Sequence, residues 1–420
     1  MHPANAEVRP PAPISGRVVA LLALAMFVNY ADRGSLSVAA PVLQSQLHVS
    51  QAAMGVLLSS FFWSYTLAQP LAGSIVQRFD VRPVLAVALA IWAGATLLCG
   101  LASGYLMLLG LRLLMGLGES VIYPANARIL AERADESVRG RCNGLISMAM
   151  SLGPTGGTLV GGLVLARFGW RAVFLSLGVL SLLWLWPWLT TPKAQAASAP
   201  TRRGVSGPGY GELLARRELW AVSIGQLCYS WQFYLLLTWL PSYLVKAQHL
   251  SLASMAGMGA AVYGLQSLTA LLSGILTDAL VRKGYIEARR IVLLLGLGGG
   301  GLALLVEGLG PKGLAIPCLF LAGFCTGAAN PLIFSIGQTL AGARAGGRWM
   351  GIQNMGGNCA GILAPMATGL IAQATGAFTG AFVLAAGLSV VGIFCWTLVL
   401  GRIQPLSWKS APAALEPLPA

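Results

Sequence analysis

Apolar stretches long enough to cross a bilayer recur along the whole chain, and they leave one architecture open. About 20 predominantly apolar residues carry a helix across ~30 Å of hydrocarbon. Twelve such stretches can be marked in the 420 residues: 17–41, 53–76, 84–102, 104–131, 142–166, 170–190, 218–245, 253–281, 290–308, 314–341, 349–373 and 378–401. Inside hydrocarbon every backbone N–H and C=O needs an internal partner, so spans of this length are helices. Hydrophobic residues make up 56% of the chain and charged residues 10%, too few charges to clothe a soluble surface. The sequence predicts an all-α polytopic membrane protein with twelve transmembrane helices. The first stretch carries charge in its middle and reads as a span, not as a cleaved signal peptide.

The net charge of +14 follows topology rather than a nucleic-acid surface. With both termini placed inside, only Arg167, Arg171, Lys246 and Lys312 fall in outer loops, while Arg33 and Arg112 lie within spans. All other Lys and Arg residues then face the cytoplasm, which is the positive-inside bias. A bacterial inner-membrane protein with both termini cytoplasmic is expected, and no nucleic-acid partner. The seven cysteines stand singly without metal-ligand spacing, and His2, His48 and His249 lie outside the spans. No metal or cofactor is therefore expected. HExxH, GxSxG, P-loop and dinucleotide fingerprints are missing, so the chain does not read as an enzyme. A ligand sensor would need a signalling domain, for which a linker and a short tail leave no room.

Residues 191–216, rich in Pro, Ala, Ser and Gly, divide the spans six and six. They predict a flexible cytoplasmic linker between an N-terminal bundle (17–190) and a C-terminal bundle (217–401). Tails at 1–16 and 402–420 complete the division. Signals repeat between the halves. Gly73 and Arg78, followed by Asp80 and Arg82, are echoed by Gly274, Asp278, Arg282 and Lys283. The pair Gly140-Arg141 with Gly144 is echoed by Gly347-Arg348 with Gly351. Repeats at about half the chain length belong to two-halved transporters with a site near the midplane.

Four ionisable residues interrupt the apolar spans: Asp32 and Arg33 in the first, Arg112 and Glu119 in the fourth. A charge at the bilayer centre costs about 2.5–3.5 kcal/mol on insertion scales, so such residues usually mark an ion or substrate pathway. Asp32 and Arg33 are neighbours and point about 100° apart on a helix. Arg112 and Glu119 are seven residues apart, on one face and about 10 Å apart along the axis. Cross-helix pairs, Asp32 with Arg112 or Arg33 with Glu119, would neutralise charge and nothing more. In the functional reading, removal from water makes a carboxyl easier to protonate. Protonation then releases an arginine to clamp a substrate carboxylate. The second half has no basic residue inside a span. It offers neutral polar groups, among them Gln232, Tyr234, Asn330, Asn354 and Asn358. This asymmetry suggests a monocarboxylate with a neutral hydroxylated or aromatic body.

Twelve spans, two repeats, a central linker and the glycine–arginine loop after the second span resemble the major facilitator superfamily. The similarity is strongest to its anion:cation symporter family of sugar-acid and organic-anion carriers. Carrying it are Asn29-Tyr30-Ala31-Asp32-Arg33 in span one, Arg112 through Gly118-Glu119 with Tyr123-Pro124 in span four, Phe233-Tyr234 through Pro241 in span seven, and Gln353-Asn354 with Gly357-Asn358 in span eleven. The resemblance implies the major facilitator fold, Asp32 and Glu119 as protonation sites, Arg33 on the substrate carboxylate, and Arg112 in coupling or a second contact. Tyr65 matches a substrate-facing tyrosine of the family. The gating loop would comprise Gly73, Arg78, Asp80, Arg82 and the equivalent Asp278. Gln77 stands where the family has an acid, which Asp80 replaces at a shifted position.

The sequence thus predicts a proton-coupled importer of a small organic anion, such as a hexonate or small aromatic acid. Its expected partners are protons, that anion and the lipid bilayer, and it is expected to be a monomer. An exporter or facilitator of a related acid without strict proton coupling is the alternative.

Overall fold

The computed structural model describes residues 14–134, 136–192 and 208–408. Most of the expected tails and of the 191–216 linker lies outside these residues. The first half contains α1 (Gly16–Gln46), α2 (Gln51–Arg78), α3 (Val81–Cys99), α4 (Tyr105–Glu119), α5 (Ile122–Arg133), α6 (Glu136–Leu183) and α7 (Leu185–Leu189). The second contains α8 (Tyr210–Leu214), α9 (Arg217–Lys246), α10 (Leu252–Arg282), α11 (Ala288–Leu309), α12 (Ala315–Thr375) and α13 (Thr379–Phe394).

Among the described residues nine helices are long and apolar enough to cross a membrane by length and composition. One of them, Gly144–Leu189, contains two crossings divided at Gly169, where φ is 78°. Helices α2 and α9, 28 and 30 residues long, have the length to cross as well. Six crossings therefore stand on either side of the linker, as the sequence predicts. Large apolar side chains such as Leu67, Leu106, Leu295 and Val390 face outward, which suits hydrocarbon rather than water.

The boundaries differ in three places. Spans five and six run through one bent helix, as do spans ten and eleven, bent at Gly342 with φ 62°. Glycine alone adopts that backbone without strain, so a single residue makes each turn where longer loops were expected. The fourth span is interrupted after Glu119 and restarts at Ile122. Finally, the linker and tail are not wholly free: α8 is helical, and residues 402–408 dock on α12. There Leu406 N donates to Leu340 O at 2.9 Å and Trp408 Nε1 to Ala341 O at 3.0 Å.

The repeat is also written in a turn. His48 and His249 both adopt left-handed backbone, with φ 50° and 55°. Two residues on, Ser50 and Ser251 accept from Ala53 N and Ser254 N at 3.1 Å and cap α2 and α10. Such caps satisfy helix N–H groups that have no intrahelical acceptor. Each half therefore passes from its first to its second span through the same turn.

The halves meet most closely near these turns. A Cβ on Gly55 of α2 would lie 2.5 Å from Pro365 O and 3.3 Å from the Cα atoms of Met366 and Gly369. Helices α6 and α10 cross with Gly259 against Thr158 and Gly162 against Ala256. Small residues allow this backbone approach. Polar bonds reinforce it: Ser37 Oγ donates to Leu237 O at 2.8 Å, Ala52 N to Gln373 Oε1 at 3.0 Å, and Lys246 Nζ to Gln44. Ser267 Oγ donates to Ser151 O at 2.6 Å further along α10.

Gly55→Leu is expected to expel this contact and favour a state with this end open. Overpacking of about 1–3 kcal/mol corresponds to roughly a fivefold or larger population shift. Spin labels at His48 and Ala374 should then report a longer distance; an unchanged distribution would refute the contact as the closed gate.

Candidate functional site

Successive residues of α1 aim at different neighbours, and that divides the four charges into two stations. Arg33 Nε donates to Glu119 Oε2 at 2.8 Å, both side chains at most 5% exposed. Asp32, turned away from Arg33, accepts on Oδ2 from Trp92 Nε1 at 3.1 Å and Ser181 Oγ at 3.0 Å. Of the two cross-helix pairs considered from sequence, Arg33–Glu119 forms directly. Asp32 has α3 and α6 as its partners, and Arg112 places Nη1 3.4 Å from Met115 Sδ.

Aromatic rings surround the arginines. The Arg33 guanidinium carbon lies 4.6 Å from the Tyr30 ring centroid, 5.0 Å from Phe61 and 4.5 Å from Tyr65. Phe61 also faces Arg112 at 5.3 Å, so one ring serves two cations. Phe61 and Tyr65 are one helical turn apart and stack at 5.3 Å. The faces of such rings attract cations most strongly where water is absent. Tyr30 Oη and Tyr123 Oη lie 2.6 Å apart, joining α1 to α5.

Among the described residues several buried atoms here have no hydrogen-bond partner: Arg33 Nη2, Arg112 Nε and Asp32 Oδ1. Donors and acceptors left open in this way cost about 1–3 kcal/mol each. They are groups that a ligand or a proton can satisfy. Chemically the arrangement offers a guanidinium that can exchange Glu119 for another carboxylate, with aromatic walls on three sides.

The second half approaches through Tyr234. Its ring meets Phe62 of α2 edge-on at 4.6 Å, and its hydroxyl donates to Asn358 Oδ1 at 3.1 Å. Tyr234 also lies within electrostatic reach of Arg33, Tyr30 and Tyr65. Asn330 borders the Tyr229 hydroxyl, and both Asn330 and Asn354 are half-buried on α12. Gln232 goes elsewhere. It is completely buried and donates to Leu297 O at 3.1 Å and Ser389 Oγ at 2.5 Å, tying α9 to α11 and α13.

The expected gating residues hold local structure. Asp80 caps α3 by accepting from Arg82 N at 3.0 Å, and Arg82 reaches Leu189 O. Asp278 pairs with Arg289 at 2.8 Å, within its own half. Gly73 and Arg78 close the last turns of α2, where Arg78 is exposed. Near them, Trp184 and Trp188 of the tryptophan-rich run 184–188 are buried and stacked at 5.1 Å, donating to Leu21 O and Arg82 O. Only Trp186 of that run is exposed, at 77%.

Sequence reasoning gave no site role to Tyr30, Phe61, Tyr123, Trp92 or Ser181, although Tyr30 and Tyr123 lie in the strings that carry the family resemblance. Tyr30 was within reach, lying three residues before Arg33 on the same helix face. Trp92 and Ser181 come from α3 and α6, and no spacing in the sequence connects them to Asp32.

The Major Facilitator Superfamily profile matches residues 22–348 and 260–420. The chain belongs to the major facilitator superfamily. It is 28% identical over 415 residues to the hexuronate transporter of Bacillus subtilis, covering 95% of this chain and 97% of that one. A second relative from the same organism, named as a probable galactarate/D-glucarate transporter, is 29% identical over 426 residues, covering 93% of each. These relatives agree with the anion:cation symporter resemblance. A bacterial homolog of the human lysosomal transporter Spinster, solved inward-facing and occupied, superposes with a TM-score of 0.74 at 19% identity, over 91% of this chain and 94% of that one. The superfamily membership makes the chain a transporter and not an enzyme.

Gln232→Ala, which removes two bonds between helices, is expected to cost about 1 kcal/mol at ~0.6 kcal/mol for each hydrogen bond between membrane helices, and to leave the KM for transport unchanged. Arg33→Lys, which keeps the charge but loses the planar fork, should raise KM at least about tenfold. Thermal melts and initial-rate transport separate the two outcomes.

Proposed function

We propose that this protein is a secondary active transporter that imports a monocarboxylate organic anion together with protons, by alternating access of its two halves across a bacterial inner membrane. The observation that carries this reading is the buried Arg33–Glu119 pair at 2.8 Å. Breaking such a pair by removing one partner ordinarily costs about 3–5 kcal/mol, because a charge is left uncompensated. Protonation of Glu119 removes its charge, and an arriving carboxylate replaces it on Arg33. The guanidinium is thus never without an anionic partner, and the proton and the substrate enter together. Asp32 is the second protonation site, and Arg112 supports coupling from the far side of Phe61.

Tyr65 and Tyr234, with Asn330, Asn354 and Asn358, are the groups we assign to the body of the substrate, while Gln232 is left out because its amide is already engaged. A lone engaged arginine suits one carboxylate. Hydroxyl and amide groups from the second half suit a hydroxylated body, as in the sugar acids for which the two named relatives are called transporters.

Positive-inside orientation places the 47–50 and 247–250 turns outside. The contacts at Gly55, Gly369, Gln44 and Lys246 then form a closed outer gate, and the structure corresponds to an inward-facing state. Gly73, Arg78, Asp80, Arg82 and Asp278 would engage across the halves only when the inner side closes.

Uptake of a labelled hexonate, hexuronate or small aromatic acid into proteoliposomes should require an inward proton gradient. Glu119→Gln, fixed in a neutral state, should lose gradient-driven accumulation by at least about tenfold while retaining exchange of anion for anion. Accumulation without a gradient would reject proton symport, and normal accumulation by Glu119→Gln would reject the role of that residue.

A further inference from the structure

Asp32 sits in a hydrogen-bond arrangement that distinguishes its two oxygens. Oδ2 accepts from the Trp92 indole at 3.1 Å and from Ser181 Oγ at 3.0 Å, whereas Oδ1 is buried with no partner among the described residues. Asp32, Trp92 and Ser181 are all wholly buried. An indole N–H is a donor only. The hydroxyl oxygen of a carboxylic acid is a much poorer acceptor than its carbonyl oxygen, so the indole bond is strongest while Oδ2 stays unprotonated. Trp92 therefore favours Oδ2 as the acceptor in both protonation states and directs an incoming proton to Oδ1.

Ser181 behaves differently. Its hydroxyl has one proton and two acceptors within reach, Asp32 Oδ2 at 3.0 Å and Leu177 O at 2.8 Å. When Asp32 is charged the proton favours the carboxylate; when Asp32 is neutral it can return to the carbonyl one turn back. The hydroxyl can thus follow the charge without a change of rotamer.

We propose that Trp92 and Ser181 are positioning residues that fix which oxygen of Asp32 carries the coupled proton and how readily that proton leaves. This rests on Asp32 being a protonation site. The charges of Glu119 and Arg112 on α4 act on Asp32 as well, the Cys99 thiol of α3 lies within its reach, and Arg33, the next residue on α1, is engaged by Glu119. The charged groups act at longer range, while Trp92 and Ser181 make the direct contacts. From α6 the contact is the uncharged Ser181. Bonds to a charged group are stronger than bonds to a neutral one, so both residues favour the ionised form, the indole more reliably because it has no competing acceptor.

The test is infrared titration of the full-length protein in liposomes without substrate, following the carboxylic acid C=O stretch. A band that titrates in the wild type and disappears in Asp32→Asn identifies the group. Trp92→Phe removes a donor that serves the charged form best, so half-protonation should move to higher pH by about one unit, tenfold in proton concentration. Ser181→Ala should move it the same way by less. Loss of thermal stability with an unmoved midpoint, or a shift to lower pH, in both variants would reduce these residues to packing and overturn the proposal. Ser181→Ala, a small change, decides the matter if Trp92→Phe does not fold. Absence of any Asp32-dependent band in the wild type would overturn the underlying protonation reading as well, so the two failures are told apart.

Discussion

The buried bond between Arg33 and Glu119 sets the terms for everything around it. In a medium that cannot solvate charge, neither residue is tolerated alone. Burying them requires α1 and α4 to be held in fixed register. The close passage of Gly116 past Phe61 and Ser64 brings α2 against α4 and delivers Phe61 and Tyr65 to the guanidinium face. The fourth span is interrupted just after Glu119, so the carboxylate sits at a place where the helix can reorient. Asp32, one residue from Arg33, is directed into a separate polar pocket by helical geometry alone. Two carboxyl groups thus lie in different surroundings, one facing the arginine and one facing a donor-only indole.

Most of the fold was legible in the sequence because bilayer length is a coarse ruler. Twelve stretches of sufficient apolar length announce themselves, and the halves share motifs at fixed intervals. The boundaries between spans were less visible. Gly169 and Gly342 turn the chain with one residue each, and a lone glycine among 53 carries no mark that separates a turn from a packing contact. The shared His48 and His249 turn was visible in principle, since both precede a capping serine by two residues, yet histidine draws attention for chemistry and not for backbone.

The site was legible to the extent that charge in hydrocarbon is conspicuous. Arg33, Glu119, Asp32 and Arg112 stood out for that reason, and so did the absence of basic residues from the spans of the second half. Neutral polar residues did not sort themselves. Gln232 and Asn354 look equivalent in sequence, but one amide bonds three helices together and the other lies half-buried on the bent helix α12. Which way a polar side chain faces depends on helix rotation, and packing decides that. Trp184 and Trp188 show the same limit: aromatic residues near a membrane boundary read as anchors, while their N–H groups in fact cross-link α1, α3 and α7.

Residues 402–408 have a practical consequence. They lie along α12 with Leu406 bonded to Leu340 and Trp408 to Ala341, the two residues immediately before the Gly342 bend. The Trp408 ring also meets Trp349 beyond that bend, at 6.1 Å. This segment therefore splints the corner between spans ten and eleven, one of which carries Asn330 and the other Asn354 and Asn358. A fusion partner or affinity tag joined soon after Trp408 would pull on that splint, whereas one placed before Ile14 would load the first turn of α1 and the single backbone bond from Ile14 N to Arg133 O. For functional assays and imaging, the amino-terminal side is the place to attach cargo.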